Sequence, residues 1–176
     1  MTTIQACDLP ARSLLAKYVK QGAYTDCYFT DVARHVSHPE YVEAFYTSGL
    51  FKLERALLAL AVSKPSTDLR AQELAAGKLD SFAAWNVEAR ESDQLLLCDF
   101  QGRTRSWLMA VPVQTGMTAG TRFYFGSAVV PVLSTRSGKP SMGVAFHALM
   151  GFHKLYSRAL LRAAVSRLAQ RESVKQ

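Results

Sequence analysis

The sequence predicts an α+β domain in which an antiparallel sheet packs against one long C-terminal helix. Three observations lead there: β-forming segments broken by Gly and polar residues run through 82–132, a helix pair precedes them, and one apolar stripe at helical spacing follows.

The elements follow in chain order. Between Pro10 and Lys20, the apolar residues Leu14, Leu15, Tyr18 and Val19 recur at helical spacing and give a short first helix. The stretch "AYTDCYFTDV" (23–32) is rich in β-formers and alternates, so it reads as a strand. In "SHPEYVEAFYTSGLFKLERALLALAV", Ser37 caps a helix whose first turn accepts Pro39, and Ser48-Gly49 interrupts the pattern. Two helices result, over about 38–47 and 50–62, and "KPSTDLRA" reads as a turn-rich connection. Strands are expected at roughly 82–90, 94–100, 104–113 and 121–132. The last helix carries Phe146, Leu149, Met150, His153, Leu160, Leu161, Ala164 and Leu168 on one stripe.

A chain of 176 residues and 19.4 kDa makes one domain, 1–176, with an N-terminal helix and lead-in over 1–22 and a basic tail over 170–176. Hydrophobic residues at 49% with 20% charged argue against disorder. Apolar runs such as Ala56 to Val62 are too short to span a bilayer. The start of the chain, with Asp8 and Pro10, lacks a basic-then-apolar signal pattern, so a cytoplasmic location is expected. Cys7, Cys27 and Cys98 show no CxxC spacing and read as reduced thiols, neither a disulfide framework nor a metal site. His35 and His38 straddle a strand end and a helix cap, so no metal and no cofactor are expected.

The net charge of +7 raises nucleic acid as a partner, but its location argues otherwise. Past residue 153 stand Lys154, Arg158, Arg162, Arg167, Arg171 and Lys175 against Glu172 alone, so most of the excess lies on one helix. Cations there complement the helix dipole, and no aromatic residues interleave them as stacking sites would require. No GxSxG, P-loop or GxGxxG occurs, which removes support for hydrolase, nucleotide and dinucleotide readings.

Register decides which side chains face the long helix. With Gln101-Gly102 as a two-residue turn, Leu97 opposes Ser106, Leu95 opposes Leu108 and Asp99 opposes Thr104. One face is then Leu95, Leu97, Asp99, Thr104, Ser106, Leu108 and Ala110. The other is Leu96, Cys98, Phe100, Arg103, Arg105, Trp107 and Met109, with arginine stems over Trp107 and their heads in water. The face with small residues is assigned inward, because Ser, Thr and Ala under a long helix leave room for a cavity. A three-residue loop, Glu91-Ser92-Asp93, puts Trp85, Val87 and Ala89 on that same face, with Trp85 opposite Asp99.

The order of elements resembles the START-like superfamily, also called SRPBCC, of polyketide cyclases and lipid-transport proteins. Within it the chain is most similar to an uncharacterised bacterial domain found fused behind short-chain-reductase-like domains. The stretches that carry the resemblance are "FKLERALLAL", "DQLLLCDFQGRTRSWLMAV", "TRFYFGSAVVP" and "MGVAFHALMGFHKL". The resemblance implies a helix-grip fold, a curved sheet holding the C-terminal helix around an apolar cavity, and implies no single activity. Asp99 departs from the pattern, standing where a small or apolar residue is expected.

The expected cavity lining is Trp85, Val87, Leu97, Asp99, Ser106, Leu108, Ala110, Phe123, Phe125, Phe146, Met150 and His153. The aromatic members, with Phe152, serve equally as plain core. Asp99 is a candidate acid or base if desolvated, and a strand-end acceptor otherwise. His153 is a candidate proton shuttle, or a hydrogen-bonded core histidine. Asp26 and Asp31 read as strand residues facing water, with Asp26 alternatively closing the cavity mouth. Three functions follow: a carrier or sensor of a small apolar molecule, a cyclase- or lyase-type enzyme, and an interaction module. The first ranks highest, since no second convergent polar group accompanies Asp99. The outer patch of Leu96, Phe100, Trp107 and Met109 predicts a homodimer, or an element of the chain lying over it.

Overall fold

The central hairpin forms in the register that its alternation dictates. Strand β5 (Gln94–Asp99) pairs antiparallel with β6 (Thr104–Thr115), and Leu97 faces Ser106 as Leu95 faces Leu108. The turn is wider than two residues. Gly102 adopts a φ of 72° and donates its N–H to the Asp99 carbonyl at 3.0 Å, so the connection spans Phe100 to Arg103 without changing the pairing. The computed structural model describes residues 3–62, 66–115, 118–133, 140–141 and 144–173, with side-chain surroundings for 3–55, 66–114, 118–131 and 151–171.

The elements, in order, are β1 (Gln5–Ala6), α1 (Ala16–Lys20), β2 (Tyr24–Val32), α2 (His38–Tyr46), α3 (Gly49–Val62) and α4 (Asp68–Ala75). There follow β3 (Ser81–Phe82), β4 (Trp85–Glu91), β5, β6, β7 (Thr118–Val129), β8 (Val132–Leu133), β9 (Pro140–Ser141) and α5 (Val144–Ser173). Strands β1 to β7 form a seven-stranded sheet in the order β1-β2-β7-β6-β5-β4-β3, every described pair antiparallel. Helices α2 and α5 pack together over one face, with α3 against α5 and α4 against α2. The architecture is α+β and of the helix-grip kind.

Local chemistry explains the boundaries. Ser37 caps α2 in a reciprocal box with Glu40, and Pro39 occupies the first turn, where its missing N–H costs nothing. The Ser48 hydroxyl donates to the Phe45 carbonyl at 2.8 Å and closes α2 just before Gly49 opens α3. Helix α4 begins inside the stretch expected to be a turn-rich connection, at Asp68. Thr67 caps it by accepting from the Arg70 N–H, so "TDLRAQELA" is a capped helix behind a turn-rich lead.

The phase of β4 also differs from expectation. Glu91 pairs with Gln94, which leaves a two-residue loop, Ser92-Asp93. That loop alone would turn Trp85 and Val87 outward. A β-bulge between Val87 and Ala89 restores the phase, so Trp85 still faces Asp99 and Val87 still faces Leu97, while Ala89 joins the opposite face.

The two faces have separate cores. The inner one joins Leu95, Leu97, Leu108, Ala110, Phe123 and Phe125 to Tyr41, Phe45 and Tyr46 of α2 and to Leu160, Leu161, Ala164 and Leu168 of α5. The outer one is covered by the chain's own N-terminal segment. Leu15 and Tyr18 pack on Cys27, Leu96, Trp107, Met109 and Ala128. The fully buried Gln94 fastens this strap: its Oε1 accepts from Leu14 N–H and from Trp107 Nε1–H, each at 2.9 Å, and its Nε2 donates to the Arg12 carbonyl. Cys7 and Cys27 meet there as free thiols with their sulfurs 3.4 Å apart. Of the apolar patch that motivated a dimer, Leu96, Trp107 and Met109 are therefore buried within the chain, and Phe100 alone stays exposed, at 46%. The Arg105 head is not in water as expected; it lies 4.7 Å over the Tyr18 ring and bonds Glu88.

Among the described residues no helix is long and apolar enough to cross a membrane. Two basic residues of α5 are engaged within the fold, Arg171 with Glu43 and Arg158 over the Tyr28 ring.

Candidate functional site

Where strands β6 and β7 carry Ser106 opposite Ser127, the inner face has small side chains under α5, and a gap is left between sheet and helix beside the Ser127–His153 contact. A cavity of about 160 Å³ lies there, partly open to solvent. Its floor is Trp85, Thr104, Ser106, Phe125 and Ser127; α2 and α3 add Phe45, Phe51 and Glu54; α5 adds His153, Tyr156, Ser157 and Leu160. The walls are mainly aromatic and aliphatic, which suits an apolar guest.

Two polar groupings interrupt those walls. In the first, Asp26 of β2 accepts from the Ser127 N–H at 3.1 Å and from its hydroxyl at 2.6 Å. His153 Nε2 lies 2.8 Å from the same hydroxyl oxygen and 3.4 Å from the other Asp26 oxygen. Since the hydroxyl proton goes to Asp26, Nε2 must be the nitrogen that carries hydrogen and donates to Ser127. This is not a hydrolytic triad, in which serine donates to a bare imidazole nitrogen and the acid orients the opposite one. The arrangement fixes the ring against the sheet, with Tyr24 edge-on at 6.2 Å.

In the second grouping, the Tyr156 hydroxyl donates to Glu54 Oε2. Burial pushes the Glu54 carboxyl above its usual range, and the bond from Tyr156 only partly opposes this. Burial and the neighbouring carboxylate likewise push the Tyr156 phenol up. No basic side chain among the described residues pairs with Glu54. Trp85 lines the same cavity, and its buried indole Nε1–H has no hydrogen-bond acceptor among the described residues.

Of the residues read from the sequence, Trp85, Ser106, Phe125 and His153 come together on this cavity. Val87, Leu97, Leu108, Ala110 and Phe123 face the same side but are packed core; Tyr41, stacked on Phe123 at 4.5 Å, fills the room expected there. The side chains of Phe146 and Met150 lie outside the described residues. Asp99 is placed at the turn, where its Oδ1 accepts from the N–H groups of Arg103 and Thr104 at 2.7 and 3.1 Å. Asp26, expected to face water, has its side chain 7% exposed and holds the Ser127–His153 contact.

The reading missed Glu54, Tyr156 and Ser157. A signal for the α5 pair existed: His153, Tyr156, Ser157 and Leu160 follow the i, i+3, i+4, i+7 spacing of one helix face. The Glu54–Tyr156 contact joins residues 102 apart, which spacing cannot show. Among the described residues no cluster suits a metal ion.

No family model matches this chain, and no curated protein matches it. Among solved structures it is similar to the crystal structure of CalU16 from Micromonospora echinospora, with 10% identity over 95% of this chain and 92% of that one and a TM-score of 0.30, a level that bears on neither function nor descent.

Proposed function

We propose that this chain binds a small, mostly apolar molecule in the cavity between the sheet and α5. The observation that carries the reading is the cavity itself, walled by Phe45, Phe51, Trp85, Phe125 and Leu160. Its volume of about 160 Å³ suits a guest of one ring, since an apolar cavity of about 150 Å³ accepts benzene. The His153–Ser127 contact on the lining offers a polar point that orients such a guest. The covered outer face removes the exposed patch on which an interaction module through that face depended.

Native mass spectrometry of the purified protein tests this. The expected result is a bound species of roughly one-ring mass that is lost in the Ser106→Phe variant, whose ring fills the cavity floor. A spectrum without adducts, before and after soaking with toluene, contradicts the reading.

A further inference from the structure

We propose that the ligand of this cavity carries a protonated amine, seated against Glu54 inside a box of aromatic side chains. The inference rests on the cavity being a binding site, and names the chemical class it selects.

The argument begins with charge. Glu54 of α3 lines an apolar cavity, and among the described residues its hydrogen bond comes from the neutral Tyr156 hydroxyl. An ionised carboxylate taken out of water without a cationic partner is costly, and a protein commonly supplies that partner from its own chain. Here it does not, among the described residues. Arg105 borders the cavity, but its guanidinium turns to the outer face and bonds Glu88, the Tyr18 hydroxyl and the Gly102 carbonyl. His153 is the other titratable base on the lining, and Asp26 already stands beside it at 3.4 Å. A cationic guest would supply the counter-charge that no described side chain gives Glu54.

The walls fit the same guest. Phe45, Phe51, Trp85, Phe125 and Tyr156 surround the space with aromatic rings, and ring faces attract a desolvated ammonium. An acid of equal size would bring its carboxylate into the cavity that Glu54 lines, where like charge repels it. A neutral hydrocarbon gains the walls but leaves Glu54 unpaired. A primary amine on a single ring uses both features and matches the volume.

Titration calorimetry of the full chain with benzylamine, toluene and benzoate separates the cases. The expected order is benzylamine tighter than toluene by about tenfold or more at neutral pH, with benzoate weakest. In Glu54→Gln, toluene should bind as before and the preference for benzylamine should vanish; retained toluene binding also shows that the variant folds. If toluene binds as well as benzylamine, or benzoate binds best, the amine proposal is overturned while the cavity reading stands. If none of the three binds, both fall.

Discussion

At the scale of single residues, buried polar side chains decide how this protein responds to pH. His38 opens α2, is 8% exposed, and its Nε2 has no hydrogen-bond partner among the described residues. Burial pushes its imidazole down to about 4. The unfolded chain takes up that proton near pH 6.5 and the folded chain refuses it. Stability should therefore fall as pH drops from roughly 6.5 to about 4, by an amount of order 3 kcal/mol. Urea unfolding across that window checks it, and His38→Gln should flatten the slope. Glu43 acts in a lower window. The bond from Arg171 holds its carboxyl below the usual range, so its stabilisation is present above roughly pH 4.5 and fades only as pH falls through the lower folded value. Asp99 shows what one residue's sequence context can and cannot say. Its nearness to Gly102 placed it at a wet hairpin end, and the two N–H groups it accepts from are local. Glu54 had no such local clue, because its environment is made by α5.

At the scale of elements, the close approach of the N-terminal strap to the sheet rests on Gly126 of β7. A Cβ there would meet the Asp26 carbonyl oxygen at 3.0 Å, Trp107 Cε3 at 3.0 Å and Leu15 Cδ2 at 3.1 Å. The first is backbone of a paired strand and cannot retreat. Gly126→Ala should destabilise by about 1–3 kcal/mol. Gly151→Ala on α5, whose Cβ meets nothing within 4 Å, should instead stabilise by up to about 1 kcal/mol. Chemical denaturation of both variants checks the contrast. Element legibility followed the same division between local and distant. The hairpin register was readable because alternation and turn sit within twenty residues of sequence. The bulge in β4 was not, because Glu88 owes its outward place to Lys17, Tyr18 and Arg105, residues far along the chain. Trp85 lies on the face expected of it because the bulge offsets a loop one residue shorter than alternation implies.

At the scale of the whole molecule, the sheet is a partition between two cores, one closed by the N-terminal strap and one holding a cavity under α5. The division into an inner and an outer face was legible, since period-two alternation assigns every side chain of a strand to one side. The extent of the cavity was not, since it depends on how far the aromatic residues of α2 reach over the sheet. The chain carries two tryptophans, and they lie on opposite sides of the partition. Trp85 borders the cavity with its indole N–H unbonded, whereas Trp107 is sealed under the strap with its N–H on Gln94. A nitrogen–proton correlation spectrum recorded during titration with toluene therefore reads the central claim directly. The account predicts that the Trp85 indole signal shifts saturably while the Trp107 signal stays in place; movement of Trp107 alone, or of neither, would contradict it.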